Sequence, residues 1–424
     1  MTPRALLTMP EHCGTLAAAR CVSDAGVEVW TASEASFATA GHSRSVSRRL
    51  RCPPVDQTER MLDWLVAVGG STRDTVLYPT SDDFAWLQAL HEGELSSRYR
   101  LYAPPVSVIE TLLDKRALEE ACARVGIVTP RAYYPDSEED VARVSREAPM
   151  PLLIKQRTQV LSRTRSKGRI VQDRADVSRE FADFARQNTY ARAVHERMPQ
   201  ATRPFLQEYH QEGVSGSYLV SGFIDRTGDL FVVRAANKVM QRPRALGIAL
   251  CAEAAPLDGA LVERIRALWR SVGYFGVFQM EFLRAEGLSM LIDVNPRYYH
   301  YMAFDIARGM PLPLLAHLAA SGDHAALARQ VEKAQVDLTN GGTGARAFTY
   351  GLHFGELLLT HALTGAISWK EARHWRRWRA SHRGHLVDAV HDPHDGMPSL
   401  VDAALHLAHN GRHPRSFLRF ALGR

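Results

Sequence analysis

The chain has 424 residues, 46% hydrophobic and 23% charged, which are ordinary globular values and exclude wholesale disorder. The formal net charge of +6 is mild for a nucleic-acid binder, and five scattered cysteines without a C-x-x-C pair signal neither a zinc knuckle nor a redox pair. At roughly 100–200 residues per domain, two to four lobes are expected. The N-terminal MTPRALLTMPEHC carries no long apolar run, so it does not read as a secretory signal. Residues 351–367 are too short and too polar to span a bilayer. A reducing cytoplasm fits the cysteine usage.

Residues 4–9 predict a strand, 14–25 a helix and 27–31 a second strand, a βαβ unit with a parallel sheet. A further strand at 76–78 runs into Pro79-Thr80-Ser81-Asp82-Asp83, polar residues that face a ligand crevice, cap the next helix, or do both. No G-x-G-x-x-G follows the first strand, so a dinucleotide site is not supported. Ala103-Pro104-Pro105 marks a boundary. Helices are predicted at 106–113 and 115–125, a strand at 131–134, and a strand at 152–155 ending in Lys155. Residues 156–168 form a polar, basic loop, and 176–197 read as one helical stretch. Strands and turns alternate over 205–291, with a helix at 261–272. Residues 301–320 and 351–410 read as largely helical, and 340–344 as a linker.

The most informative runs are FQMEF at 278–282 and LIDVNPR at 291–297. Side chains at i and i+2 of a strand share a face. Alternation therefore projects Leu291, Asp293, Asn295 and Arg297 together, with Ile292 and Val294 opposite. With Glu281 on a neighbouring strand, this makes a hard-oxygen site suited to Mg²⁺ on nucleotide phosphates, with a planar guanidinium beside it. Read one at a time, such acids are solvent-facing strand positions. Lys115 opens a helix and Lys155 ends a strand beside the basic loop, where ammonium groups can meet phosphates. Phe205-Leu206-Gln207-Glu208-Tyr209 reads as a strand leading to a hinge.

In order and spacing these pieces resemble the ATP-grasp superfamily over about residues 4–320. Runs at 43–48, 78–83, 112–130, 293–300 and 392–398 resemble most closely its D-aspartate-ligase-like carboligase group. The resemblance implies an α/β (α+β) ATP-grasp fold in four parts. These are a Rossmann-like pre-ATP-grasp domain (1–104), a central subdomain with a phosphate-loop lid (105–204), a C-terminal ATP-grasp subdomain (205–330) and a mostly helical basic extension (331–424). It implies ATP and Mg²⁺ as cofactors. Lys115, Lys155 and Lys167 would contact phosphates, and Gln207, Glu208, Tyr209 and Glu212 would hold the nucleoside. Lys238 would lie near the nucleotide, Glu281, Asp293 and Asn295 would hold the metal, and Arg297 would stabilise the transferring phosphoryl group. Two departures stand out. The loop is arginine-rich (Arg157, Arg163, Arg165) with only Gly168, and Asp293 replaces the more usual glutamate.

The implied reaction joins a small carboxylic acid or amino acid to an amine through an acyl phosphate. A carboxylase acting through carboxyphosphate is the alternative, weakened by the lack of a biotin-carrier motif or a second ATP-grasp copy. A non-catalytic nucleotide-binding module is a third reading. Arg157, Arg242, Arg244 and Arg297 are candidates for gripping substrate acids, and Tyr298, Tyr299 and His300 for lining the acceptor pocket. No nucleic-acid partner is expected, and a homodimer is left open. The segment 369–385 holds six Lys/Arg against one acid, interleaved with Trp369, Trp375 and Trp378. It reads either as a helix packed on the core or as a contact for an anionic membrane or an acidic carrier.

Overall fold

The computed structural model describes residues 3–70, 74–164, 168–210, 217–244, 247–285, 287–339 and 344–423, with backbone alone for 337–339. Lys167, Glu212 and most of the linker at 340–344 lie outside the described residues.

The first sheet is parallel, in the order β3-β2-β1-β4-β5: β1 Arg4–Thr8, β2 Val29–Ser33, β3 Arg48–Arg51, β4 Thr75–Leu77 and β5 Arg100–Leu101. The order reverses between β1 and β4, and ligand crevices form at the carboxyl ends of strands at such a switch point. There the Thr8 and Thr80 hydroxyls meet at 2.5 Å. Ser81 caps the helix Asp82–Leu90 through the amide of Phe84, so the capping reading of 80–82 is met for Ser81. The helix Cys13–Asp24 packs so closely on the backbone of Tyr299 that a Cβ at Gly14 would stand 2.5 Å from its carbonyl oxygen. That approach ties the first domain to the loop following Arg297.

A four-stranded antiparallel sheet follows in the order β6-β9-β7-β8: β6 Ala132–Tyr133, β7 Leu152–Lys155, β8 Gly168–Val171 and β9 Phe205–Glu208. The predicted helix at 176–197 is two helices, Val177–Gln187 and Arg192–Arg197. Asn188 breaks it: its side chain bonds Gln156 at 2.8 Å and the Thr202 carbonyl at 2.8 Å, contacts that compete with helical continuation.

The largest sheet has the order β14-β13-β10-β11-β12-β15-β16: β10 Ser217–Ile224, β11 Phe231–Arg242, β12 Ile248–Ala255, β13 Gly276–Ala285, β14 Leu288–Asn295, β15 Ala347–Thr349 and β16 Leu386–Asp388. All eight residues of β10 are buried, because both of its faces are covered. Leu219 and Phe223 join the core shared with the first domain, while Tyr218, Val220 and Ile224 join the core under the helix Gly259–Val272. Strand alternation thus lets one chain segment hold two hydrophobic cores together.

The helical reading of 351–410 holds for Gly351–Thr364, Trp369–Ser381 and Met397–Arg412, yet β15 and β16 extend the central sheet from within this half of the chain. Trp378 is buried and its indole donates to Glu253 on β12, so the packed-helix reading of 369–385 holds for that side chain. Arg242, at the end of β11, pairs with Glu356 at 2.8 Å, and His406 meets the same carboxylate at 2.7 Å. Arg244 pairs with Glu371 at 2.7 Å. Both arginines therefore fasten the C-terminal helices.

This clamp predicts acid sensitivity. Burial raises the Glu356 carboxyl, but hydrogen bonds from His353 and His406 and the Arg242 charge outweigh it and hold the group far below the usual carboxylate range. Burial also lowers the His353 imidazole. Both folded-state values lie below the unfolded ones, so both contributions are present at neutral pH. They are lost progressively as pH falls below about 6.5 for the histidine and about 4.5 for the glutamate. The melting temperature is expected to drop more steeply over this range for the native chain than for Glu356→Gln, with parallel curves contradicting the assignment.

Candidate functional site

A cleft lies between the small sheet and the face of the large sheet that carries Glu281 and Asp293. It is lined by Lys115, Lys155, Gln207, Glu208, Tyr209, Lys238, Glu281 and Asp293, with Leu153, Leu283 and Ile292 among its apolar walls. Eight of the sequence-derived positions therefore converge on one cavity.

Register explains the convergence. On β13 and β14, Glu281 stands opposite Asp293, and Gln279 opposite Asn295. Directly opposed residues share a face, with Cβ atoms about 4.5–5.5 Å apart. Glu281, Asp293 and Asn295 thus lie on one side of the sheet. The expected placement of Leu291 with Asp293 is corrected. A bulge follows Glu281, so Phe282 pairs with Leu291 and Ile292 is the extra residue. Leu291 turns into the core with Val294, and Ile292 joins the cleft beside Asp293.

Each carboxylate meets a lysine. Lys238 Nζ bonds Glu281 Oε1 and, at 3.2 Å, the Gly247 carbonyl; Lys115 Nζ bonds Asp293 Oδ1. Lys238 is 4% exposed, so its charge is nearly removed from water and depends on Glu281. Lys115 begins the helix Lys115–Arg124, whose start Asp114 caps through the Arg116 amide. Lys155 Nζ lies 3.5 Å from Gln207 Oε1 across the β7–β9 pair. Glu208 accepts from the Tyr133 hydroxyl at 3.1 Å.

Asn295 and Arg297 stand past the cleft lining, towards the first domain. Arg297 is half-buried and holds Asp82 with two nitrogens, Nε to Oδ1 at 2.9 Å and Nη2 to Oδ2 at 3.3 Å. It also donates to the Asn295 side-chain oxygen at 2.5 Å and the Tyr298 carbonyl at 2.9 Å. Asp82 sits at the switch point of the first sheet, so one guanidinium joins the end of β14 to that crevice. Asn295 Nδ2 donates to Gln279 Oε1 at 2.5 Å. Sequence reading missed Gln279 and the Asp82–Arg297 pair; the acid after β4 was visible, its partner 215 positions away was not.

The described part of the basic loop is anchored. Arg157 binds Asp114 at 2.6 and 2.8 Å, Arg163 binds Asp56 at 3.0 Å, and the Leu161 amide donates to Asp83 at 2.6 Å. Burial raises the Asp83 carboxyl to about 6. Arg157 is thus engaged with Asp114. Tyr298 and Tyr299 are core residues, each 2% exposed, and do not line the cleft. His300 packs against the Tyr350 and Phe348 rings, with centroids 5.5 and 5.9 Å away.

The oxygens of Glu281, Asp293 and Asn295 share one face beside a cavity, a hard-donor set that fits Mg²⁺. The lysines now on the two acids are cations that phosphate oxygens would attract in turn. No helix among the described residues is long and apolar enough to cross a membrane.

No protein-family model matches the sequence, and no curated protein matches it. Among solved structures, the chain is similar to the biotin carboxylase domain of 2-oxoglutarate carboxylase from Hydrogenobacter thermophilus, in complex with MgADP, ADP and bicarbonate. The TM-score is 0.60 at 16% identity, covering 76% of this chain and 70% of that one. It is similar to biotin carboxylase from Campylobacter jejuni, with TM-score 0.59, 16% identity and coverage of 76% and 71%. It is likewise similar to L-amino acid ligase from Bacillus licheniformis, with TM-score 0.56, 14% identity and coverage of 76% and 75%. The fold that these enzymes share, and that this chain has, is ATP-grasp.

Proposed function

We propose that the chain is an ATP- and Mg²⁺-dependent ligase of the D-aspartate-ligase-like kind, which activates a small carboxylic acid as an acyl phosphate and joins it to an amine. The observation that carries this reading is the pair of lysine–carboxylate contacts on one cleft, with Arg297 just past its lining at the end of the strand that carries Asp293. The nucleoside lies against Leu153, Ile292, Leu283 and the edge Gln207 to Tyr209. Lys115, Lys155 and Lys238 meet phosphate oxygens, and Glu281, Asp293 and Asn295 would hold Mg²⁺, which neutralises phosphate charge when bound. Arg297, fixed by Asp82, presents its guanidinium where the substrate carboxylate and the terminal phosphate approach. Two anions must be brought together there, so preorganised positive charge is the main catalytic requirement.

The carboxylase reading keeps support from the two biotin carboxylases among the similar structures. A second cleft favours the amine. Between the first domain and the anchored loop, Glu11, Glu34, Asp56 and Asp83 line a space with Arg163 as the one basic side chain among the described residues. A negative lining suits an ammonium group better than bicarbonate.

Phosphate release from ATP, measured over a panel of amino acids and small acids with amines or bicarbonate, tests the reading. Release that requires both an acid and an amine, with the amide identified by mass spectrometry, is expected. Release driven by bicarbonate alone would replace this reading with the carboxylase.

A further inference from the structure

Helix 351–364 and helix 369–381 present a surface that the proposed ligase chemistry does not use. Leu352, Leu359 and Leu363 recur along one side of the first helix and are 38%, 60% and 68% exposed. Gly355 lies on the same side, and Glu356, which also falls at this helical spacing, is turned inward at 13% exposure and held by Arg242 and His406. Trp369, 57% exposed, continues it into the second helix. The groove between the helices is floored by Phe354, Leu358 and Leu359 and bordered by Arg376, Arg379 and Arg383. Apolar stripe and cations are thus contiguous.

Lys370, Arg373, Arg376, Arg377, Arg379 and Arg383 are all exposed, and none forms an ion pair with a described residue. The one acid of the segment, Glu371, is taken by Arg244. Elsewhere, arginines such as Arg20, Arg157, Arg242 and Arg297 are held by carboxylates. Ten of the fifteen large apolar side chains that stand exposed among the described residues fall in 350–424, so the apolar surface is concentrated in this half-module.

We propose that this face docks the protein on an anionic phospholipid bilayer, with Leu359, Leu363 and Trp369 entering the headgroup boundary and the arginines meeting lipid phosphates. Charge complementarity selects this occupant. A second copy would set a segment of net +5 against another of the same charge, whereas an anionic lipid plane neutralises it. Contiguous leucines and a tryptophan beside basic residues are the composition of helices that lie in a membrane interface. Arginine stems also lie along apolar surface while their heads reach phosphate.

The test is co-sedimentation of the full chain with phosphatidylcholine vesicles, with and without phosphatidylglycerol, at low and high salt. Binding is expected only with phosphatidylglycerol and is expected to weaken with salt. Replacing Arg376, Arg377 and Arg383 by Gln is expected to weaken it by about a hundredfold. Leu359→Ser with Leu363→Ser is expected to weaken it about tenfold. All five positions are exposed or half-open to solvent, so unchanged melting temperatures and phosphate release should accompany both variants. Failure to bind anionic vesicles overturns the proposal. So does binding that the leucine variant leaves intact, which would make the face a polyanion contact only. A dimer that the leucine substitutions dissociate, with no vesicle binding, would assign the face to a second copy.

Discussion

Arg297→Ala is expected to lower phosphoryl transfer by about 10²–10³-fold, or ~2.7–4 kcal/mol, while nucleotide affinity changes little. The guanidinium stands past the cleft residues, at the junction with the first domain, where it would meet charge that develops during transfer and not the resting nucleotide. Four hydrogen bonds fix it: two to Asp82, one to Asn295 and one to the Tyr298 carbonyl. A side chain so held loses little orientational freedom at the moment of reaction. Lysine would not substitute, because a point charge cannot span Asp82 with two donors and bond Asn295 as well. Asp82→Asn should reproduce part of the loss, since it loosens the guanidinium and leaves its charge in place. Single-turnover transfer and nucleotide binding, measured on the same samples, separate the two effects. Normal transfer by the alanine variant would remove Arg297 from the chemistry; lost nucleotide affinity with normal single-turnover transfer would recast it as a binding group.

Much of this site was legible in the chain because strand alternation and opposed carboxylates leave a periodic signal. Asp293 and Asn295 are two apart, and a strand needs nothing further to place them together. What failed was whatever depends on a local insertion or on distant pairing. The bulge after Glu281 exchanges Leu291 for Ile292, and no residue type in FQMEF or LIDVNPR announces it. The arginines of the loop read as greeting an anion, yet Arg157 and Arg163 are matched by Asp114 and Asp56, 43 and 107 positions away. Asp82 and Arg297 meet because the strand order of the parallel sheet reverses between β1 and β4 and the helix Cys13–Asp24 sits on Tyr299. The strands β15 and β16 have three residues each, too few for a period to show, and they are fixed by pairing, β15 on β12 and β16 on β15. Local pattern therefore finds the residues, and tertiary pairing decides which of them are available.

Glu281→Gln is expected to raise the Mg²⁺ requirement of phosphate release by tenfold or more and to destabilise the nucleotide-free protein. The two effects share one cause. Glu281 faces Asp293 across the β13–β14 ladder and is the carboxylate of Lys238, whose side chain is 4% exposed. Taking away one member of a buried pair leaves the other charge without compensation, which typically costs about 3–5 kcal/mol when burial is complete. Glu281 is itself 19% exposed, so the loss here should fall below that range. Glutamine keeps the shape and one acceptor oxygen but supplies no negative charge, so both the lysine and a divalent cation lose their strongest local attraction. A triphosphate bound in the cleft would offer Lys238 new anionic oxygens. Added ATP should therefore recover more melting temperature in the variant, at saturating Mg²⁺, than in the native chain. That differential recovery distinguishes a ligand site from a purely structural ion pair, which nucleotide would leave equally weakened. An unchanged magnesium titration, or equal thermal shifts in the two proteins, would show that Lys238 and Glu281 stabilise the sheet and do not receive the nucleotide.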